Sequence, residues 1–226
     1  MTHPMTQPTT HAIAYDELTE RLIVHFAGEK FAADVTAAKK LFFDEAGIMD
    51  EENAAFEMRM TQFLEWYLFS RPLGSSPLTP AQIGLQAEDV PISEAERPLF
   101  ENLANSRHSL FELLKIRGED IYVRDLFQGT RLIIRGSPIR IGFSREEIFD
   151  ARLIPTGEEF SFSRAFCFHP EDASPYILSE VKKLRKAPPP AREALMLRLL
   201  KMRYKFEQYR HLKLDYVYTN EKKVRF

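Results

Sequence analysis

The hydrophobic period of this chain changes twice, from about 3.6 residues to two and back, and no pure helix bundle or pure β-sandwich accommodates that. From residue 14 to 107 the apolar spacing is helical. Leu18, Leu22, Ile23 and Phe26 repeat on one face, with Gly28 as a stop. A second helix is predicted from Glu29 to Ala46, with Phe31, Val35, Ala38 and Phe42 on one side and Gly47 past its end. A third carries Phe56, Met60, Phe63 and Tyr67, is capped by Asp50, and stops before Pro72. Thr79-Pro80 starts a short helix, and Ser93-Glu94-Ala95-Glu96 reads as a capping box for another.

From Ser109 to Phe168 the alternation is strand-like. Five segments, around Leu110–Leu114, Ile121–Leu126, Arg131–Ile134, Ile148–Ile154 and Glu159–Phe162, are separated by turn chemistry that includes Gly118, Gly129 and Gly136. After Pro170 the helical period returns with Ile177, Leu178, Val181 and Leu184. Pro188-Pro189-Pro190 is expected to impose an extended break. A long helix should then run from Ala191 to about Leu212, followed by a β-prone tail with Leu214, Tyr216 and Tyr218. The expected architecture is α+β: a flexible tail (1–13), a helical region (14–107), a small antiparallel β module forming a curled sheet or partial barrel (108–170), and a basic helical arm with a short tail (171–226).

Charge is distributed unevenly along this plan. Of 31 Lys and Arg and 33 Asp and Glu, residues 181–226 hold 14 and 4, which leaves 17 and 29 in the first 180. An arm of net charge +10 against a body of −12 fits a contact with nucleic acid or an acidic protein; it equally fits docking onto the acidic part of the same or a neighbouring chain. Within the arm, Leu195, Leu199, Met202, Phe206 and Tyr209 form one apolar stripe, and Leu197, Leu200 and Tyr204 a second on the opposite side. A helix apolar on two faces is covered on both, by its own domain, a second chain, or one of each.

The segments Glu65-Trp66-Tyr67-Leu68-Phe69, Ser109-Leu110-Phe111-Glu112-Leu113, Val123-Arg124-Asp125-Leu126-Phe127-Gln128-Gly129 and Ala151-Arg152-Leu153-Ile154-Pro155 occur in that order. The order resembles a group of uncharacterised bacterial proteins, some of which also carry a cysteine-rich SEC-C zinc motif. The resemblance spans about residues 60–165 and implies an architecture but no activity. This chain reads Ser144-Arg145-Glu146-Glu147 where the group often has a Gly-Asp pair, and it lacks the cysteine motif.

Residue constellations with chemical meaning are sparse. Cys167 is the one cysteine, so neither a disulfide framework nor a multi-cysteine zinc site is available, and a reducing, cytoplasmic setting is expected. Cys167 and His169 share a strand face, yet no acidic residue is identifiable to orient the histidine, and the cysteine reads as a small buried hydrophobe. The six histidines are scattered, and His25 and His108 read as surface or helix-end residues. Gly129, Gly136 and Gly142 are too far apart for a phosphate loop, and Glu146/Glu147 and Glu158/Glu159 read as solvated turn charges. Arg131 and Arg135 have the Arg-x-x-x-Arg spacing of PilZ domains without the element that follows it there, and read as edge-strand charges. No run approaches 18 apolar residues, and the stretch Met1–Thr10 lacks the apolar core of a signal peptide.

No catalytic, cofactor-binding or metal-ligating residue is therefore assigned. The expected function is a non-catalytic binding or scaffolding protein acting through protein–protein contacts, with a protein partner or a second copy of itself and no membrane. Its partner-binding residues are read as Arg198, Lys201, Arg203, Lys205 and Arg210. The alternative is a nucleic-acid-associated factor that uses the basic helix together with Tyr204, Tyr209, Tyr216 and Tyr218, against which stands the overall net charge of −2.

Overall fold

The computed structural model of the protein describes residues 10–48, 52, 55–88, 90–135, 137, 147–157 and 159–221. The first nine residues of the expected tail, the Asp50 cap, Gly136, Gly142 and the carboxylates Glu146 and Glu158 lie outside the described residues.

The helical period of the first hundred residues folds as α1 (Thr10–Phe26), a 3-10 turn (Glu29–Phe31), α2 (Ala32–Ala46), α3 (Phe56–Phe69), α4 (Pro80–Gly84) and α5 (Arg97–Ala104). Their apolar faces share one core, in which Leu18, Leu22 and Phe26 of α1 meet Ala38 and Phe42 of α2 and Phe63, Trp66 and Tyr67 of α3. The end of α2 shows how its orphan carbonyls are satisfied. Gly47 turns the chain at φ 91°, and the buried Arg59 of α3 donates from Nη2 to the carbonyls of Ala46 and Gly47 at 2.7 and 2.8 Å. Thr79 and Gln82 form a reciprocal capping box at the start of α4. The Ser93 pattern behaves differently. Glu96 accepts from the Ser93 backbone and hydroxyl, but α5 starts beyond it at Arg97, where Pro98 fits the first turn.

The alternating region forms one antiparallel sheet of β1 (Arg107–Arg117), β2 (Asp120–Asp125), β3 (Arg131–Ile134), β4 (Ile148–Thr156) and β5 (Glu159–Phe168), in the order β3-β2-β1-β4-β5. The sheet is curled but not closed. Its edge strands β3 and β5 come into contact, and Arg135 just past β3 reaches Glu159 at 3.4 Å. The inner face of the curl is a phenylalanine core: Phe111 stacks on Phe149, Phe162 meets Phe111 and Phe166 edge-on, and Leu113, Val123 and Leu153 surround them. Burying a side chain of this size contributes about 2–3 kcal/mol, so these rings dominate the cohesion of the module. Strand β4 is buried over seven consecutive residues because its other face is covered by helices.

The final third packs against that other face. It comprises a 3-10 turn (Glu171–Ala173), α6 (Ser174–Leu184), α7 (Pro189–Gln208) and α8 (Leu214–Val217). Two expectations are corrected here. The triple proline is not an extended break: Pro188 is the extended N-cap of α7, and Pro189 and Pro190 occupy its first turn, where a missing N–H costs nothing. The tail around Tyr216 is a single helical turn rather than a strand, because Val217 and Tyr218 seat against α7 and α6. Both stripes of α7 are covered within the chain. Leu195, Leu199 and Met202 pack with α6 and α8, whereas Leu197 and Leu200 enter the N-terminal helical core. Among the described residues no helix is long and apolar enough to cross a membrane.

Candidate functional site

The register of the central strands decides which charged groups face the helices. His108 of β1 lies opposite Arg152 of β4, and Leu110 lies opposite Asp150. Side chains alternate along a strand, so His108, Asp150 and Arg152 project together from the helix-facing side. There they meet Glu65 of α3 and Glu193 of α7. His108 bridges two carboxylates, with Nδ1 at 2.9 Å from Glu193 and Nε2 at 2.9 Å from Asp150. Arg152 donates from Nη2 to the Ser70 hydroxyl at 2.7 Å and pairs with Glu65, its Nε 3.6 Å from the carboxylate. Glu65 in turn accepts from the Ser163 hydroxyl (2.7 Å) and the Ala165 backbone (3.2 Å). A small, partly open cavity of about 20 Å³, room for one water, lies beside these groups.

Burial and charge compete in this network. Burial disfavours the His108 imidazolium, but Asp150 and Glu193 outweigh it and push the histidine up to about 10. Burial likewise raises Glu193, and the His108 charge overcomes it, so this carboxyl falls below its ordinary value. Glu65 ends on the other side. Burial raises it, and Arg152, Ser163 and Ala165 only partly offset that. With a proton on both nitrogens and a carboxylate on each, His108 has no lone pair to offer as a base. Cys167 is buried and its thiol is pushed up by burial, then by Asp150, so it is no thiolate nucleophile. His169 is buried against Tyr218 and lowered to about 4 by burial, which keeps it neutral. No three His, Cys, Asp or Glu side chains among the described residues are placed to hold a metal ion.

The network forms one wall of a larger groove. About 640 Å³ of open space lies between the end of α3, the start of β1, the turn after β2 and the first turns of α7. Its apolar lining includes Trp66, Phe69, Phe127 and Leu197, and four arginines border it: Arg71, Arg107, Arg152 and Arg192. Three of these are tied to carboxylates, Arg71 to Asp34 (2.7 Å), Arg107 to Asp125 (3.1 Å) and Arg152 to Glu65 (3.6 Å). Asp125 is fully buried and also organises the turn after β2, accepting from Ser109 Oγ and from the backbone of Phe127 and Gln128 at 2.9–3.0 Å. The four segments on which the family resemblance rests therefore converge on this groove, through Trp66 and Phe69, Ser109, Phe127 and Gln128, and Arg152.

A family of unknown function, DUF7986, has a sequence profile that matches residues 14–196. The chain belongs to that family. No curated protein and no solved structure matches the chain. The matched stretch contains Glu65, His108, Asp150, Arg152, Arg192 and Glu193, and so the whole buried network. Arg198, Lys201, Arg203, Lys205 and Arg210 lie beyond it.

Within this DUF7986 chain the structure places those five arm residues as follows. Arg198 pairs with the buried Glu180 of α6 at 2.5 Å. Lys201 donates to the Asp44 carbonyl (2.6 Å), tying α7 to α2. Arg203 donates to the Phe168 carbonyl (2.6 Å) and pairs with Glu207 at 2.8 Å. Burial and then Lys201 lower Lys205, and Arg210 is exposed. Of the tyrosines read as stacking rings, Tyr204 and Tyr218 are buried, while Tyr216 is 44% exposed. Arg135 pairs with Asp120 and Glu159 at the sheet edge. The reading of His108 as a surface or helix-end residue is corrected: it sits in β1 with 15% of its side chain exposed, held by two carboxylates. Sequence reasoning passed over Glu65, Asp150, Arg152 and Glu193. Three of them carried a signal, because Glu65 interrupts Phe63–Phe69, and Asp150 and Arg152 interrupt Ile148–Ile154 on one strand face.

Proposed function

We propose that this protein is a non-catalytic binding protein whose recognition surface is the groove between α3, β1 and α7. One observation carries the reading. The groups in the wall with chemical potential are already engaged inside the chain, His108 by two carboxylates, Ser70 by Arg152 and Ser109 by Asp125. The groove beside them is open and largely apolar, with its volume in the range of ligand sites. A wall of already engaged polar groups beside an open apolar floor suits holding a ligand more than transforming one. The cytoplasm is the proposed setting, supported by the single, buried Cys167.

A protein contact through the basic arm, with a partner or another copy, is a second proposal. What favours it is the exposure of Arg210 past α7 and of Leu178 and Tyr216 on the helices α6 and α8 that pack beside α7. Changing the exposed Arg210 to Glu and the exposed Tyr216 to Ser together should then reduce self-association or partner binding in light scattering. An unchanged assembly state and unchanged partner binding would remove that surface.

The groove is tested by a thermal-shift screen of small molecules against the wild-type chain and Ala194→Trp, a substitution at the exposed groove-lining Ala194. Compounds that raise Tm of the wild type, leave Ala194→Trp unmoved and are recovered unaltered by mass spectrometry are expected. Chemical conversion of a bound compound, or shifts that persist in Ala194→Trp, would refute the reading.

A further inference from the structure

We infer that the groove takes an amphiphilic monoanion, a small carboxylate carrying an extended apolar or aromatic body, with Arg192 as the residue that reads its charge. The inference rests on the groove being a binding site, as proposed above. Among the described residues Arg192 is the one groove-lining arginine without a carboxylate partner; the other three are paired at 2.7–3.6 Å. Its Nη2 donates to the Arg185 carbonyl at 2.7 Å, and its guanidinium lies over the Phe127 ring, 5.4 Å from the centroid. These two contacts brace the plane. Its Nε is buried without a hydrogen-bond partner, as are those of Arg107 and Arg152, so what sets Arg192 apart in the groove is its missing carboxylate.

The surroundings set the charge and shape of that acceptor. Arg192 lies in the first turn of the 20-residue helix α7, whose positive dipole end borders the groove. Glu193 next to it is already committed to His108, so it offers no competing free carboxylate but does set a limit. One unpaired cation matches one negative charge, and a dianion would place its second charge near Glu193. Behind Arg192 the floor is apolar, with Phe127, Trp66, Phe69 and Leu197. A volume of about 640 Å³ suits a molecule of drug size rather than a folded domain. A carboxylate at Arg192 with a hydrocarbon or ring system lying along the floor satisfies both halves.

Trp66 is the single tryptophan and lines the groove, so its fluorescence reports occupancy without a label. The full chain is titrated with 4-phenylbutyrate and with its neutral analogue 4-phenylbutyramide, each at low and high salt. The acid is expected to change Trp66 emission saturably and to bind about tenfold tighter than the amide, a gap that added salt narrows. Arg192→Gln should abolish the gap by weakening the acid alone, whereas Arg210→Gln, in the exposed arm, should leave it intact. Equal binding of acid and amide to the wild type would overturn the charge assignment while leaving the groove as a site. An acid preference that survives Arg192→Gln would overturn the role of that residue. Absence of a saturable response to either compound would overturn the monoanion and weigh against the groove itself.

Discussion

Replacing His108 with glutamine should change how stability depends on pH, in a way that no loss of packing reproduces. In the folded chain the imidazole is held at about 10 against an ordinary 6.5, burial opposing and Asp150 and Glu193 prevailing. Between those two values the folded state binds one proton more than the unfolded state, so unfolding free energy falls as pH rises, by up to about 1.4 kcal/mol per pH unit. The stabilisation is complete below pH 6.5 and lost as pH climbs through 10, an upper limit of about 5 kcal/mol over the window. The exposures support a large share of that limit, because His108, Asp150 and Glu193 side chains are 15%, 8% and 19% exposed. Urea unfolding followed by Trp66 fluorescence, at half-unit steps from pH 6 to 10, measures it. His108→Gln should be less stable by about 3–5 kcal/mol at pH 6, and the gap should close to about 1 kcal/mol at pH 10. Taking the difference removes the titration of Lys, Tyr and Cys groups common to both proteins. Parallel curves with a constant gap would refute the argument, since they would mean that His108 is held by packing and carries no extra proton.

Three further outcomes are expected. Asp125→Ala should cost about 3 kcal/mol in urea unfolding, because it strips acceptors from Ser109, Phe127 and Gln128 and leaves Arg107 unpaired; Asp125→Asn should lose less, and equal losses would contradict the charge component. Gly47→Ala should lower stability by about 1–2 kcal/mol in the same assay, since Gly47 has φ 91° and an added Cβ would also meet Lys201 and Tyr204 at 3.4 Å; a neutral substitution would show that the turn relaxes. The Cys167 thiol, buried and raised by burial, should react with a disulfide reagent about a hundredfold slower in the folded chain than in urea, and labelling at equal rates would place it at the surface.

The elements were legible wherever one residue's neighbours along the chain decide its environment. The alternation around Ile121–Leu126 and the spacing of Leu18, Leu22 and Phe26 point to β2 and α1 directly, because one face of each is buried and the other is not. Pro189 and Pro190 were misread because a proline's effect depends on whether it precedes or occupies a first helical turn, which three identical residues leave open. The candidate site was hidden for a different reason. His108, Glu65, Asp150, Arg152 and Glu193 come from four elements, and only the β1–β4 register and the docking of α3 and α7 bring them together. The arm's charge asymmetry was visible, but its partners Glu180, Asp44 and Phe168 follow from packing rather than from sequence distance.

Helix α7 also dictates the order in which the chain can become a folded object. It supplies Leu195 and Leu199 to one core and Leu197 and Leu200 to another, and it delivers Glu193 to the His108 pair. During synthesis the N-terminal helices, the sheet and α6 are all made before it is, and only α8 follows it. The N-terminal helices therefore leave the ribosome with an apolar face that has no intramolecular cover until more than a hundred further residues have emerged, a time of about 5–20 s at ordinary elongation rates. His108 spends that interval beside Asp150 at most, without its second carboxylate. A nascent chain arrested before Pro189 should thus behave as a client for holdase chaperones, and release of α7 should act as the step that commits both halves at once.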